Sequence, residues 1–392
     1  MVLAAFVLAS SAGASGVPLE KRLAGALAVP HVSRAQTAAL VFDLQTGTTR
    51  YSQHESLPLV PASNEKLAVT YAALVGLGPD FRIETDVVGR GELDGTVWRG
   101  SLVLVGRGDP TLSTRGLAAL AAQVKAAGIR SVTGAVLGDE SYFDSRRTAP
   151  GWKSWFYINE SPPLSALTVD RAVFARRVWR NPALGAAFAF RAALRRAGVS
   201  VRRGAGTAVA PKAAVPLGSI ESPPLATIIR WMDRVSDNFT AELLLKQLGT
   251  LVAGRGTTAA GASFVAQTLA EAGIPLAGVR VVDGSGLSRL DRATARELAG
   301  ILEAAWADEA MRPVLLAALP VAGVSGTLSH RMRRLPARGN VVAKTGTTAI
   351  ASALSGYVRR HYVFSVLQNG HPISTLWARR AQDRFATVLA TQ

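Results

Sequence analysis

The stretch Pro61-Ala62-Ser63-Asn64-Glu65-Lys66-Leu67-Ala68-Val69-Thr70-Tyr71-Ala72-Ala73-Leu74-Val75 decides the fold. Proline suits the start of a helix, and Ala62, Leu67, Ala68, Tyr71, Ala72 and Leu74 recur at helical spacing. That spacing predicts a buried helix over 61–75, with Gly76 and Gly78 able to stop it. Ser63 then sits in the first turn, and Lys66 lies one turn on, on the same face. A serine hydroxyl is a weak nucleophile until a base removes its proton. A lysine can be that base if burial or a nearby cation lowers its pKa from about 10.4 towards roughly 7–8. The helix N-terminus favours an oxyanion forming beside the serine. Alone, the pair is a weak signal, and the plainer reading of Lys66 is a snorkelling helix lysine. Ser63 is nevertheless the only serine three positions before a lysine in this chain.

Two further triplets occur once each, in order. Ser236-Asp237-Asn238 interrupts a helical stretch over 223–248. A second hydroxyl and an amide could relay a proton and hold a lysine in place; the plainer reading is a helix N-cap. Lys344-Thr345-Gly346 lies on a predicted strand, where alternation turns Lys344 to a cleft and Thr345 away. Gly346 would let a ligand approach the backbone. An edge strand can pair with an extended peptide, although an ordinary turn approach is the alternative. The weight lies in the joint pattern, in which each triplet falls on the element its chemistry needs.

Around these triplets the organisation is legible. Residues 37–43 and 48–52 predict a β-hairpin at a sheet edge, and 341–344, 353–358 and 362–367 predict consecutive strands of one antiparallel sheet. Residues 258–272, 294–306 and 377–389 read as helices, the last packed on that sheet. Between about Arg82 and Pro216 short apolar runs alternate with Gly/Asp turns around a helix at 117–127, which predicts an inserted α+β domain. The expected division is 15–81 with 217–392 for the main domain and 82–216 for the insertion.

The chain has 392 residues, enough for two or three domains, and no cysteine, which excludes disulfides, thiolate zinc sites and a cysteine nucleophile. Its formal charge is +17. Arginines cluster at 176–177, 195–196, 202–203, 331–334 and 359–360. A solvated basic surface is the plainer reading, and association with an anionic wall or membrane surface is the functional one. No nucleic-acid signature accompanies the arginines, so no nucleic acid is expected. The five histidines form no metal-ligand spacing, and neither metal nor cofactor is called for. The run Val2–Leu8 followed by Ala12-Gly13-Ala14 predicts a signal peptide over residues 1–14, without a basic n-region, and hence export to the periplasmic or extracellular wall space.

The triplets, together with GRGDPTL (106–112), DESYFD (139–144), PPLSAL (162–167), SPPL (222–225), SDNFTAE (236–242), DGSGLSR (283–289), LPVAGVSGTL (319–328) and KTGTTAIASALSGY (344–357), run across most of the chain. In these it resembles the D-alanyl-D-alanine carboxypeptidase/endopeptidases, the low-molecular-mass class C penicillin-binding proteins. The resemblance implies an α+β fold: a serine penicillin-recognising, transpeptidase-like core, antiparallel sheet with helices, split by an insertion shorter than the two inserted domains common in that family. It implies peptidoglycan stem peptides and β-lactams as ligands. It makes Ser63 the residue acylated and Lys66 the base, with Ser236 and Asn238 relaying the proton and Lys344 supplying positive potential. The backbone N–H groups of Ser63 and Thr347 would form the oxyanion hole, and Thr345, Gly346 and Thr347 would bind substrate, its carboxylate falling to the two threonines. Arg289 would lie near the peptide side chain, while Gly284, Gly286 and Pro110 read as turn residues. Two alternatives share the motifs. A β-lactamase would need a group to activate the deacylating water, and Glu65 projects away from Ser63. A silent wall-binding protein of the same fold would not need Ser63, Lys66, Ser236, Asn238 and Lys344 together.

Overall fold

A computed structural model describes residues 17–392, so the signal peptide expected over 1–14 lies outside the described residues. The chain opens with α1 (Leu19–Leu27), β1 (Thr37–Asp43), β2 (Thr48–Gln53) and α2 (Glu65–Leu77). The middle third holds β3 (Glu84–Asp94), β4 (Val97–Gly106), α3 (Thr114–Ala126), β5 (Ser131–Val132), β6 (Val136–Asp139), the single turn α4 (Phe156–Asn159), β7 (Val173–Phe174), β8 (Arg177–Val178), α5 (Pro182–Arg196), β9 (Ser200–Val201), β10 (Ala205–Thr207) and β11 (Val215–Glu221). It ends with α6 (Leu225–Val235), α7 (Asn238–Ala253), α8 (Thr258–Glu271), α9 (Ala295–Ala307), α10 (Met311–Ala318), β12 (Val341–Thr347), β13 (Ala351–Val358), β14 (Tyr362–Asn369) and α11 (Thr375–Ala390).

Both chain ends build one five-stranded antiparallel sheet, ordered β12-β13-β14-β1-β2. Every residue of β13 and β14 is buried, as in a sheet covered on both faces. Helices α2 and α9 pack on one face through Leu67, Tyr71, Leu298 and Leu302. Helices α1 and α11 cover the other through Leu23, Leu27, Phe385 and Leu389. The β1–β2 hairpin and the three consecutive strands stand where their patterns put them. Helix α2 is buried from Glu65 to Leu74, a helix with no solvent face. It ends at Gly78, whose φ of 80° closes the last turn.

Strands β3 to β11, without the separate β7–β8 hairpin, form a second, mixed sheet ordered β10-β6-β4-β3-β11, with β5 against β4 and β9. Parallel pairing of β4 with β6 and of β6 with β10 is bridged by α3 and α5. This sheet has its own core, including Trp98, Leu104, Leu117, Phe190 and Leu194. The boundary expected at Pro216 falls inside β11, which continues to Glu221 along β3. Helix α5, which the sequence reading passed over, is alanine-rich and capped by Asn181, whose side chain accepts from the Leu184 N–H at 3.1 Å. Phe143, Leu164 and Ala166 return from the insertion to pack on Phe239 and Leu243 of α7. The insertion is thereby attached next to the Ser-Asp-Asn triplet.

Candidate active site

Ala62–Asn64 form a 3-10 turn, and α2 begins only at Glu65. Ser63 therefore stands just ahead of the helix and not within its first α turn, as the spacing had predicted. The cause is Ala62, whose φ of 49° breaks the helical path. Left-handed backbone costs a non-glycine residue roughly 1–2 kcal/mol, and packing holds it here. A Cβ on Gly346 would lie 2.8 Å from the Pro61 carbonyl and 3.1 Å from the Ser63 nitrogen. One on Gly286 (φ 78°) would overlap the Ala62 carbonyl. Gly286 is thus a close-approach residue against the serine turn, beyond the turn role expected of it.

Lys66 is fully buried, not snorkelling. Its Nζ lies 3.1 Å from Ser63 Oγ, 2.9 Å from Asn238 Oδ1 and 2.6 Å from the Ser285 carbonyl. The last two partners can only accept. A neutral lysine has two hydrogens and one lone pair. With both hydrogens given to Asn238 and Ser285, the lone pair is left for the Ser63 hydroxyl. Burial pushes the Lys66 pKa down, against the carboxylates of Asp283, Asp237, Glu242 and Asp233. Burial thus shifts Lys66 towards its basic form, while the bonds to Asn238 and Ser285 hold Nζ beside Ser63 Oγ.

The Ser-Asp-Asn triplet divides its labour. Asp237 is the cap of α7, its side chain accepting from the Thr240 N–H at 2.8 Å, so the capping reading holds for that residue. Ser236 takes a left-handed φ of 62° between α6 and α7. That turn brings Ser236 Oγ 2.8 Å from Lys344 Nζ, and it faces Asn238 towards Lys66. Lys344, also fully buried, donates to the Thr345 carbonyl at 2.9 Å. Burial and the neighbouring Lys66 bring the Lys344 pKa down to about 7. Behind both lysines Asp233 is buried, accepts from Thr70 Oγ1 at 2.7 Å, and has its pKa pushed up to about 6 by burial.

Strand β12 is an edge strand of the sheet, its first half bridged to residues 320–322 and its second half, from Lys344, outside that bridge. Its alternation sets Lys344 and Gly346 towards the serine turn and Thr345 to the other side, where its hydroxyl meets that of Thr327 at 2.7 Å. Thr347 is exposed; its hydroxyl donates to the Gly346 carbonyl at 2.8 Å and accepts from Arg379 at 3.3 Å. Arg289 is exposed and outside the hydrogen-bond network of the lysines. It lines a cleft with Lys153, Trp155, Glu160, Thr347 and Ile350. No histidine hydrogen-bonds to Ser63, Lys66 or Lys344 among the described residues, and these include no cluster of side chains able to hold a metal.

Three participants escaped the sequence reading. The Ser285 carbonyl takes the shortest contact of Lys66. The Glu160 carbonyl, from the insertion, accepts from Asn238 Nδ2 at 3.1 Å. Asp283, fully buried, holds the loop that carries Ser285. Backbone carbonyls have no side-chain signature, and Asp-Gly-Ser-Gly reads as a turn. Glu65 is buried among the carboxylates of Glu297, Asp283 and Glu242, where burial raises its pKa, and makes no hydrogen bond to Ser63.

Residues 19–185 and 175–392 match the model of the D-Ala-D-Ala carboxypeptidase 3 (S13) family. The chain is 33% identical to the D-alanyl-D-alanine carboxypeptidase of Actinomadura sp. (strain R39), covering 98% of this chain and 86% of that protein. It is also 33% identical to carboxypeptidase Rv3627c of Mycobacterium tuberculosis, over 90% of this chain and 79% of the relative. The fold matches the crystal structure of penicillin binding protein 4 from Haemophilus influenzae with a TM-score of 0.83 at 22% identity, covering 92% and 97% of the two chains. The same protein in complex with a β-lactam matches with a TM-score of 0.77 at 21% identity over the same shares.

Proposed function

The chain belongs to the D-Ala-D-Ala carboxypeptidase 3 (S13) family and is a serine peptidase, and from that premise we propose that Ser63 is the residue acylated by peptidoglycan stem peptides and by β-lactams. The observation that carries the reading is the arrangement around Lys66, whose two acceptor-only partners leave its lone pair for Ser63 Oγ.

Neutral Lys66 takes the Ser63 proton as Oγ bonds to the carbonyl carbon of the penultimate D-alanine. The negative charge that develops on the carbonyl oxygen faces the N–H groups of Ser63 and Thr347. On collapse the C–N bond breaks, and the proton held by Lys66 goes to the leaving D-alanine amine, with the Ser236 hydroxyl as the group able to pass it on and Asn238 holding Lys66 in place. Water then cleaves the ester on Ser63. Lys344 supplies positive potential from one face of β12, and Thr345 and Thr347, together on its other face, would bind the substrate carboxylate, while the missing Cβ of Gly346 makes room for the serine turn and not, as expected, for the peptide. Arg289 meets the peptide side chain in the cleft it shares with Trp155 and Thr347. The division into a catalytic unit and an insertion is supported by their separate cores. Incubation with a labelled penicillin followed by peptide mapping tests the acylation: one adduct, on Ser63 and slow to leave, is expected. An adduct elsewhere, or none, would falsify it.

Gly286 gives a second test. Gly286→Ala forces a Cβ onto the Ala62 carbonyl at a φ of 78°. The expected result is an acylation rate lower by about 10²-fold, the scale of an ångström-sized misplacement of a reacting group. The rate of adduct formation, read alongside the melting temperature, checks it.

The basic charge has a location. Residues 171–220 contain ten Lys and Arg and no Asp or Glu. Arg130, Arg195, Arg196, Arg202 and Arg203 are exposed at one end of the insertion, where Ser200 N–H donates to the Arg130 carbonyl at 3.0 Å, and none has an acidic partner within 4.0 Å among the described residues. This end would dock on an anionic wall polymer. Sedimentation with purified anionic walls should fall about tenfold between 50 and 200 mM salt for multiple contacts of this kind. Arg195→Glu/Arg196→Glu should fall as far at low salt; binding indifferent to both changes refutes the docking. Such a substrate and partner place the enzyme's work in the wall space outside the cytoplasm. Among the described residues no helix is long and apolar enough to cross a membrane.

A further inference from the structure

The loop 283–288 is wedged between α7 and the serine turn. Gly284 lies against α7, where a Cβ would sit 2.6 Å from the Ala241 carbonyl. Glu242, one turn after Asn238 on α7, accepts from the N–H groups of Gly284 and Ser285 at 3.1 and 2.9 Å. The peptide group between Ser285 and Gly286 has a particular setting. Its carbonyl takes Lys66 Nζ at 2.6 Å, and its N–H donates to Asp283 Oδ1 at 2.7 Å. The two ends of a trans peptide point in opposite directions, so the Asp283 carboxylate, the peptide dipole and the Lys66 amine lie in series. The other oxygen, Asp283 Oδ2, accepts from Ser288 N–H at 2.7 Å, from Ser285 Oγ at 3.2 Å and from Trp152 Nε1 at 2.7 Å.

Trp152 is the link that comes from outside the core. It belongs to the inserted segment, eight residues before Glu160, whose carbonyl holds Asn238 at 3.1 Å. One segment of the insertion therefore grips both groups that aim the base: Asn238 directly, and Ser285 through Asp283. Between the two grips Ile158 has a φ of 73°, a conformation that β-branched residues rarely adopt and that surrounding structure must hold.

We propose that Trp152 and Asp283 are positioning residues for the base, and that the insertion sets the reactivity of Ser63 through the path Trp152 Nε1, Asp283 carboxylate, Ser285–Gly286 peptide and Lys66 Nζ. The proposal rests on Lys66 being the base. Neither residue touches Ser63. Trp152 is also not among the residues lining the cleft with Arg289, so its effect is on the rate of acylation and not on ligand binding.

The test uses the full chain, a labelled penicillin, and stopped-time measurement of the acylation rate and its half-saturating concentration between pH 5 and 9. Trp152→Phe keeps an aromatic ring and removes the Nε1 donor together with part of the indole, so the melting temperature is read alongside the rate. The expected result is a limiting rate lower by about tenfold, the lower end of what loss of an orienting partner does, with half-saturation unchanged within twofold. Asp283→Asn also removes a charge, and the groups facing Lys66 are Glu65, Asp233, Asp237, Glu242, Asp283 and Lys344. With one of those carboxylates gone Lys66 loses its proton more readily, so the acid limb of the rate profile moves to lower pH while the plateau falls by about 10²-fold. General damage to the fold would lower the plateau and leave that limb in place. The double variant should be no slower than Asp283→Asn alone, because both act on one path. A Trp152→Phe enzyme within twofold of wild type overturns the path, as does an Asp283→Asn limb that stays or moves up. Failure of the wild type to acylate at Ser63 would instead overturn the reading of the site.

Discussion

Ser63→Ala is expected to abolish the penicillin adduct and to lower hydrolysis of a peptide ending in D-alanyl-D-alanine by at least about 10⁴-fold, the scale seen when a covalent nucleophile is removed. The size follows from the surroundings. Ser63 is partly exposed, and its hydroxyl meets Lys66 alone among the described side chains. No other hydroxyl stands at the same turn: Ser236 is engaged by Lys344, and Ser285 by Asp283. Removing one partly exposed oxygen leaves the buried packing of α2 intact, so the melting temperature should change little. Intact mass after incubation with penicillin, and release of D-alanine from the peptide, measure both effects. An Ser63→Ala protein that still gains one adduct at the wild-type rate would remove the nucleophile from this position.

Lys66→Gln should lower the acylation rate by about 10³-fold, within the usual range for a general base. Glutamine keeps a polar head in the same fully buried site, with donors for Asn238 Oδ1 and the Ser285 carbonyl. It has no basic lone pair for Ser63. The pH dependence separates a lost base from a lost contact. In the wild type, the rate rises with pH as Lys66, whose pKa burial lowers, gives up its proton. In Lys66→Gln that rise should vanish, leaving a low and nearly flat profile. Adduct formation followed from pH 5 to 9 checks this, and a variant within tenfold of wild type with the same rise would assign the base elsewhere. Burial, together with the charge that Lys66 and Lys344 disfavour in each other, brings the Lys344 pKa to about 7, so a neutral variant at Lys344 should move the Lys66 limb to higher pH and weaken binding of the carboxylate.

The competing β-lactamase reading turned on whether a carboxylate could activate water at Ser63. Helix geometry directs Glu65 badly for that role, and its carboxyl is buried with those of Glu297, Asp283 and Glu242 and makes no hydrogen bond to Ser63. The direction needed only the rotation of about 100° per residue. That Lys344 and Thr345 fall on opposite faces of β12 also followed from local geometry, because alternation along a strand is local, but Lys344 is fully buried and not at the cleft. The start of α2 did not follow. Helical spacing placed Ser63 inside the helix, but the left-handed Ala62 is held by contacts from residues more than two hundred positions away, at Gly286 and Gly346.

Local sequence by itself determined on which elements the proposed catalytic side chains ride: Ser63 and Lys66 before and on α2, Ser236 and Asn238 at the break between α6 and α7, and Lys344 on β12. These are set by short-range periodicity, capping and alternation. Tertiary structure alone decided what surrounds them. It brought α2, the α6–α7 break and β12 to one point, buried both lysines, and recruited the carbonyls of Ser285 and Glu160. Those recruits are backbone atoms, the same in every residue, so no residue type announces them. Burial is a property of the assembled core, and it is burial that lowers the Lys66 pKa, in the direction the proposed base requires.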